Sequence, residues 1–233
     1  MLINLDIEEP KLLAQKVAAK LEDAIILGEI TGGIHLTEES LEQRTRVSRS
    51  PIREALRLLE MDGLVVRAPR RGVFVASLSI SDLEELYPCR IALEGRAGQL
   101  AAENATADEI YGIKQAQQEC AACFEKDDII GQFKANVSLS RQIYEAAHNS
   151  ILLGLLMSIH KRSLRYRFLA YKRSLEARRT SIVTNGRIIA SLEVRDAEET
   201  GAQICRSIEA SQDVLRSVLE NELGAAGGAW HVL

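Results

Sequence analysis

RVSRSPIREALRLLEMDGLV, residues 46–65, carries four arginines in its first 12 positions, in a chain whose formal net charge is −4. Ile52, Ala55, Leu56 and Leu59 recur at i, i+3, i+4 and i+7, which predicts an amphipathic helix with one apolar stripe. At about 100° per residue, Arg49, Arg53 and Arg57 fall on an adjoining arc and face outward together. Ser48 or Ser50 can cap the N-terminus, and Pro51 falls in the first turn, where its missing N–H is harmless.

Before this stretch, Pro10 opens a helix whose Val17, Leu21, Ala24 and Ile25 are its buried face and which Gly28 stops. TGGIHL is a loop. Thr37 caps a short second helix ending near Arg44, with Glu38 and Glu39 complementing its positive end. After the stretch, GLVVRAPRRGVFV reads as a β-hairpin with Arg70 and Arg71 at its tip. Between Arg44 and Arg71 stand eight arginines against Glu54, Glu60 and Asp62, a local charge of 8 − 3 = +5, so the remainder of the chain is −9. A basic helix face is usually just solvated. Placed second in a helix–turn–helix and followed by a basic-tipped hairpin, it matches a winged DNA-binding domain, with one helix in the major groove and the wing on neighbouring phosphates.

From about Ser79 the pattern is helical only. Ser81 with Glu84 and Thr106 with Glu109 read as capping boxes, and Ser150 and Asp196 as N-caps, giving six or seven helices packed as a bundle. The expected fold class is mainly α: a winged helix–turn–helix over 1–76, a helical ligand-binding and dimerisation domain over 77–222, and a Gly/Ala-rich flexible tail over 223–233. The 233 residues, 46% hydrophobic, suffice for such cores without staples. Cys120 and Cys123 read best as small core residues, with a redox dithiol as the alternative. No apolar run reaches the roughly 18 residues needed to span a bilayer, and the N-terminus lacks a signal-peptide layout, so a cytoplasmic location is expected.

LTEESLEQRTRVSRSPIREALRLLEMDGLVVRAPRRGVFV closely resembles the winged helix–turn–helix of the GntR family of bacterial transcriptional regulators, with its L-T-E, V-S-R-x-P-[VI]-R-E-A-L and G-x-F-V pattern. The likeness covers about residues 10–76. DLEELYPCRIALEGRAGQLAAENAT and IYEAAHNSIL are similar, more loosely, to the ligand-binding domain of the fatty-acid-regulator (FadR-like, FCD) subgroup. The resemblance implies DNA contacts at Ser48, Arg49, Ser50 and Arg53 of the recognition helix and at Arg71 and Gly72 of the wing. A guanidinium can grip guanine O6 and N7, and hydroxyls at a helix N-terminus suit phosphate. Arg57 reads equally as a phosphate contact or a solvated charge. Two positions depart from the family pattern: Arg46 stands where it usually has Gly, and Glu39 where some members carry a basic contact.

The resemblance also implies a bundle site that in many members holds a divalent metal through one Asp and three His. Here the matching positions carry Asn136, Ser140, Asn185 and Ser207, which offer no anionic or imidazole ligand, so no metal and no other cofactor is expected. A polar cluster inside an apolar bundle suits a small effector instead. Arg90 is the expected carboxylate anchor, oriented by Glu94, with Tyr87 on the wall and Pro88 able to kink the helix. The alternatives are an Arg90–Glu94 pair that only braces the bundle and a water-filled remnant cavity. Residues 160–179 hold eight Lys and Arg against one Glu, with Leu164, Phe168, Tyr171 and Leu175 as core stripe. A solvated or interfacial face is expected there, with Arg162 or Arg165 turning inward as the second reading and a further nucleic-acid surface as the third.

The whole reads as a homodimeric, sequence-specific DNA-binding regulator, a repressor by family habit, controlled by a small organic acid. Its partners would be a double-stranded operator, that acid and a second copy of itself, with no membrane. The alternative is an effector-independent DNA binder with a vestigial pocket. No nucleophile–base pair, paired-carboxylate motif, phosphate loop or metal set speaks for an enzyme.

Overall fold

A computed structural model describes residues 10–225. They separate into two compact units divided between Ser77 and Leu78, each with its own apolar core.

The first unit comprises α1 (Pro10–Ile26), β1 (His35–Leu36), α2 (Glu38–Thr45), α3 (Arg49–Met61), β2 (Val65–Ala68) and β3 (Gly72–Val75). Gly28, at φ 68°, follows the end of α1 as its sequence position requires. Thr37 caps α2, its hydroxyl accepting from the Ser40 N–H at 3.1 Å. The α3 stripe of Ile52, Ala55, Leu56 and Leu59 is buried and packs with Val17, Leu21 and Ile25 of α1. The sheet order is β1-β3-β2, antiparallel throughout; β2 and β3 pair from Val65 with Val75 to Ala68 with Gly72, so the turn at 69–71 forms the hairpin tip. The sequence predicts a loop where β1 forms, because two residues paired to β3 through His35 and Phe74 are too short to show an alternation.

The second unit has six helices among the described residues: α4 (Ile80–Asn104), α5 (Ala107–Glu125), α6 (Ile129–Ala146), α7 (Ser150–Arg173), α8 (Leu175–Glu193) and α9 (Ala197–Ala225). α4 and α9 approach closely along Gly95, Gly98 and Gly201; a Cβ on Gly98 would collide with the Ile204 side chain. Thr106 and Glu109 form the expected capping box of α5, and the Asp196 carboxylate accepts from the Glu199 N–H at the start of α9. Cys120 is fully buried with its Sγ on the Gln132 carbonyl, and burial pushes its thiol up to about 11, as suits a small core residue.

Several expectations need correction. The cap of α4 is Ser79 rather than Ser81, because the buried Tyr166 hydroxyl accepts from the Ser79 N–H and donates to Asp82, fixing the first turn there. Asn149 rather than Ser150 caps α7, its side chain accepting from the Leu152 N–H. The helix breaks at Ser174, so Leu175 is exposed at the start of α8 instead of closing the α7 stripe. α9 continues to Ala225, into the segment expected to be a flexible tail from 223; residues 226–233 of that segment lie outside the described residues. α4 runs on through Pro88.

Candidate functional site

Two constellations stand out, one in each unit. In the first, the turn between α2 and α3 is made by Arg46, whose φ of 58° puts it in the left-handed region, so the turn keeps the geometry a glycine would supply. Ser48 occupies the N-cap position of α3 with extended backbone but makes no side-chain cap bond, and Ser48, Arg49 and Ser50 are all exposed. Arg49, Arg53 and Arg57 project outward, each paired with a carboxylate: Arg49 Nε to Glu42 at 3.1 Å, Arg53 Nε to Glu38 at 2.8 Å, Arg57 Nη2 to Glu54 at 2.8 Å. The hydrogen bond from Arg53 holds the Glu38 carboxyl below its usual pKa. Such exposed pairs are screened by solvent and contribute little to stability.

At the wing, Arg70 adopts φ 61° and Gly72 φ 104°. A Cβ on Gly72 would run into the His35 ring, which stacks on Phe74 at 4.6 Å between centroids. Arg71 lies over the same Phe74 ring at 6.0 Å. The wing tip is therefore backbone-constrained and carries exposed cations. All six sequence-predicted residues, Ser48, Arg49, Ser50, Arg53, Arg71 and Gly72, belong to α3, its N-cap or this hairpin.

In the second unit a cavity of about 210 Å³ opens between the helices, many times the space one water needs. Arg90 and Glu94 of α4, Asn136 and Ser140 of α6, Asn185 of α8 and Ser207 of α9 all line it, so the structure brings the sequence-predicted pocket residues to one place. Arg90 Nε donates to Glu94 at 2.7 Å, and the guanidinium lies over the Tyr87 ring at 4.7 Å. Burial works against both charges, but each holds the other ionised: the Arg90 pKa stays above its usual value and that of Glu94 below. Tyr87 itself is fully buried behind Arg90 rather than on the cavity wall.

Neither Arg162 nor Arg165 turns into this cavity. Arg162 pairs with Asp82, and Arg165 is buried without lining it. The residue that does is Arg167, whose Nη2 donates to Asn136 Oδ1 at 2.6 Å and to Ser140 Oγ at 3.1 Å. Five donors of the lining are buried without a hydrogen-bond partner: Arg90 Nη1, Arg167 Nη1, Asn185 Nδ2 and the hydroxyls of Tyr144 and Tyr171. His160 stays neutral, since burial and the Arg167 charge push it down to about 4. The four positions that would hold a metal do not fit one: they offer two amides and two hydroxyls, and two of them already accept from a guanidinium. Among the described residues no cluster of three His, Cys, Asp or Glu forms elsewhere.

Comparison with known proteins matches residues 13–75 to the model of bacterial regulatory proteins, gntR family, and residues 85–210, more than half of the chain, to the FCD domain. The chain belongs to the GntR family. It is a DNA-binding transcriptional regulator, and its relatives are regulators rather than enzymes. Among GntR relatives, the "Uncharacterized HTH-type transcriptional regulator YdhC" of Bacillus subtilis is 29% identical, over 86% of this chain and 90% of that one. The "Probable D-xylose utilization operon transcriptional repressor" of Paenarthrobacter nicotinovorans is 33% identical, over 64% and 67%. The solved structure of E. coli McbR/YncC superposes with TM-score 0.77 at 22% identity, covering 88% of this chain and 97% of that one, and shares the fold. No helix among the described residues is long and apolar enough to cross a membrane.

Proposed function

We propose that this GntR regulator is a homodimeric repressor whose operator affinity is lowered by a small organic acid bound, without metal, in the second unit. The observation that carries this reading is the cavity itself. Arg90, Arg167 and Asn185 keep buried donors unpaired, and an unpaired buried donor costs about 1–3 kcal/mol unless something accepts from it. An acid supplies acceptors, while Leu139, Ile143 and Ile188 give its carbon skeleton an apolar wall.

On the DNA side, Arg49 and Arg53 are assigned to base edges, Ser48 and Ser50 to phosphate at the α3 N-terminus, and Arg71 and Gly72 to the wing contact. One winged helix reads few base pairs, so two copies on a two-fold operator supply the specificity. The acid shifts DNA binding only by preferring one arrangement of the dimer over another.

Selection of bound sequences from a random duplex pool, then thermal shift of the protein against glycolate, lactate, malate, citrate and gluconate, tests both halves. The reading predicts a palindromic site and at least one acid that raises Tm. A protein that selects a palindrome but is stabilised by none of the acids would instead be an effector-independent DNA binder.

A further inference from the structure

Arg167 and Arg90 differ in how their charges are met. Arg90 shares its cavity wall with Glu94, whose carboxylate accepts from it at 2.7 Å, and it stacks on Tyr87. Its charge is answered within the protein. Arg167 is equally buried, 7% exposed against 4%, yet its hydrogen-bond partners are neutral: the Asn136 amide oxygen and the Ser140 hydroxyl. Its Nη1 has no partner. Among the buried groups lining the cavity, two guanidiniums face one carboxylate, and His160 beside them is neutral. Glu176 also lines the cavity but is exposed, so the excess of one positive charge is confined to the buried part of the wall.

A buried charge left uncompensated is among the most expensive features a folded chain can keep, and such costs are tolerated where a ligand relieves them. The position has a further meaning. Asn136 and Ser140 sit one turn apart on α6, where a metal-binding relative would present its first two ligands, and the Arg167 guanidinium sits on their side-chain oxygens. An amide oxygen and a hydroxyl oxygen suit a guanidinium better than a divalent ion, since each accepts one N–H while neither brings negative charge.

We propose that Arg167, rather than Arg90, is the residue that binds the effector's carboxylate, acting as a cation built into the chain where related pockets would place a metal. Asn136 and Ser140 orient its fork so that Nη1 remains free for the ligand. Asn185 Nδ2 offers a second donor from α8, and Arg90, held by Glu94, adds one N–H from α4. The ligand class is a small acid with a single carboxylate at this end, because one excess positive charge calls for one negative charge. This inference rests on the effector reading of the cavity and sharpens which residue anchors it.

The test compares wild type, Arg167→Gln, Arg167→Lys and Arg90→Gln by thermal shift and calorimetry against the same five acids, with EDTA present throughout. Arg167→Gln is expected to weaken the best acid roughly 10- to 100-fold, the loss that removal of a charge-assisted hydrogen bond brings. Arg167→Lys should recover part of that loss by restoring the charge, and Arg90→Gln should weaken binding less than Arg167→Gln. An acid bound equally by wild type and Arg167→Gln overturns the assignment of Arg167 and leaves the effector reading standing. If no acid stabilises wild type, the effector reading falls and this inference with it. The ligand-free protein gives an independent readout: Arg167→Met, which removes a buried cation that no carboxylate hydrogen-bonds, is expected to hold or raise Tm. A fall of several degrees would make Arg167 a structural brace and overturn the proposal.

Discussion

Arg46 holds a left-handed backbone, φ 58°, at the end of α2, where the family pattern has glycine. A Cβ-bearing residue there costs about 1 kcal/mol, so Arg46→Gly is expected to raise stability by up to that amount in chemical denaturation, less whatever glycine adds to the unfolded chain's entropy. At the wing the requirement is reversed: Gly72 has φ 104° and its missing Cβ makes room for the His35 ring. Gly72→Ala should cost about 1–2 kcal/mol, measured the same way, and weaken DNA binding by displacing the tip. Arg49→Ala is expected to cost about 1–3 kcal/mol in operator affinity and relax specificity at one base pair, read by anisotropy on matched and mismatched duplexes. Several of these residues were legible from the sequence because a helical stripe and a hairpin fix where arginines point. Arg167 was not. It is one of eight Lys and Arg in 20 residues, and nothing in that run distinguishes the one that turns inward from those that stay in water.

Elements were readable where a local rule governs them and misread where a distant contact overrides it. The Thr106–Glu109 box is local, and it forms as its spacing predicts. The start of α4 is not: Ser81 satisfies the capping pattern, but Tyr166, 87 residues beyond Ser79, ties down Ser79 and Asp82 instead. The break at Ser174 between α7 and α8 has no proline or glycine to announce it. Along α7, His160 gives the bundle a measurable pH dependence. Burial lowers its pKa from 6.5 to about 4, so the unfolded chain takes up a proton near pH 6.5 that the folded chain refuses. Stability from this group is complete above pH 6.5 and falls as pH drops towards 4, by roughly 3 kcal/mol in all. Glu94, whose folded pKa is depressed, loses its contribution in the same direction at lower pH. Denaturation midpoints between pH 7 and 4 should show this decline, and His160→Gln should flatten its upper part.

At the level of the whole molecule, a mildly acidic chain confines +5 of charge to residues 44–71 and leaves −9 for the rest. That asymmetry favours DNA on the basic unit and, under the proposed function, leaves the other for a small ligand. The division into two units was legible from the change of pattern near Ser79. The arrangement of the cavity's donors was not, because it arises from side chains of five helices that only the fold brings together. Coupling between the units is the central claim, and operator anisotropy in a titration with the acid that most stabilises the protein tests it most directly. The account predicts that DNA is released over the same acid concentrations that raise Tm. Operator affinity unchanged with the cavity saturated would contradict it, leaving a DNA-binding protein whose cavity does not control it.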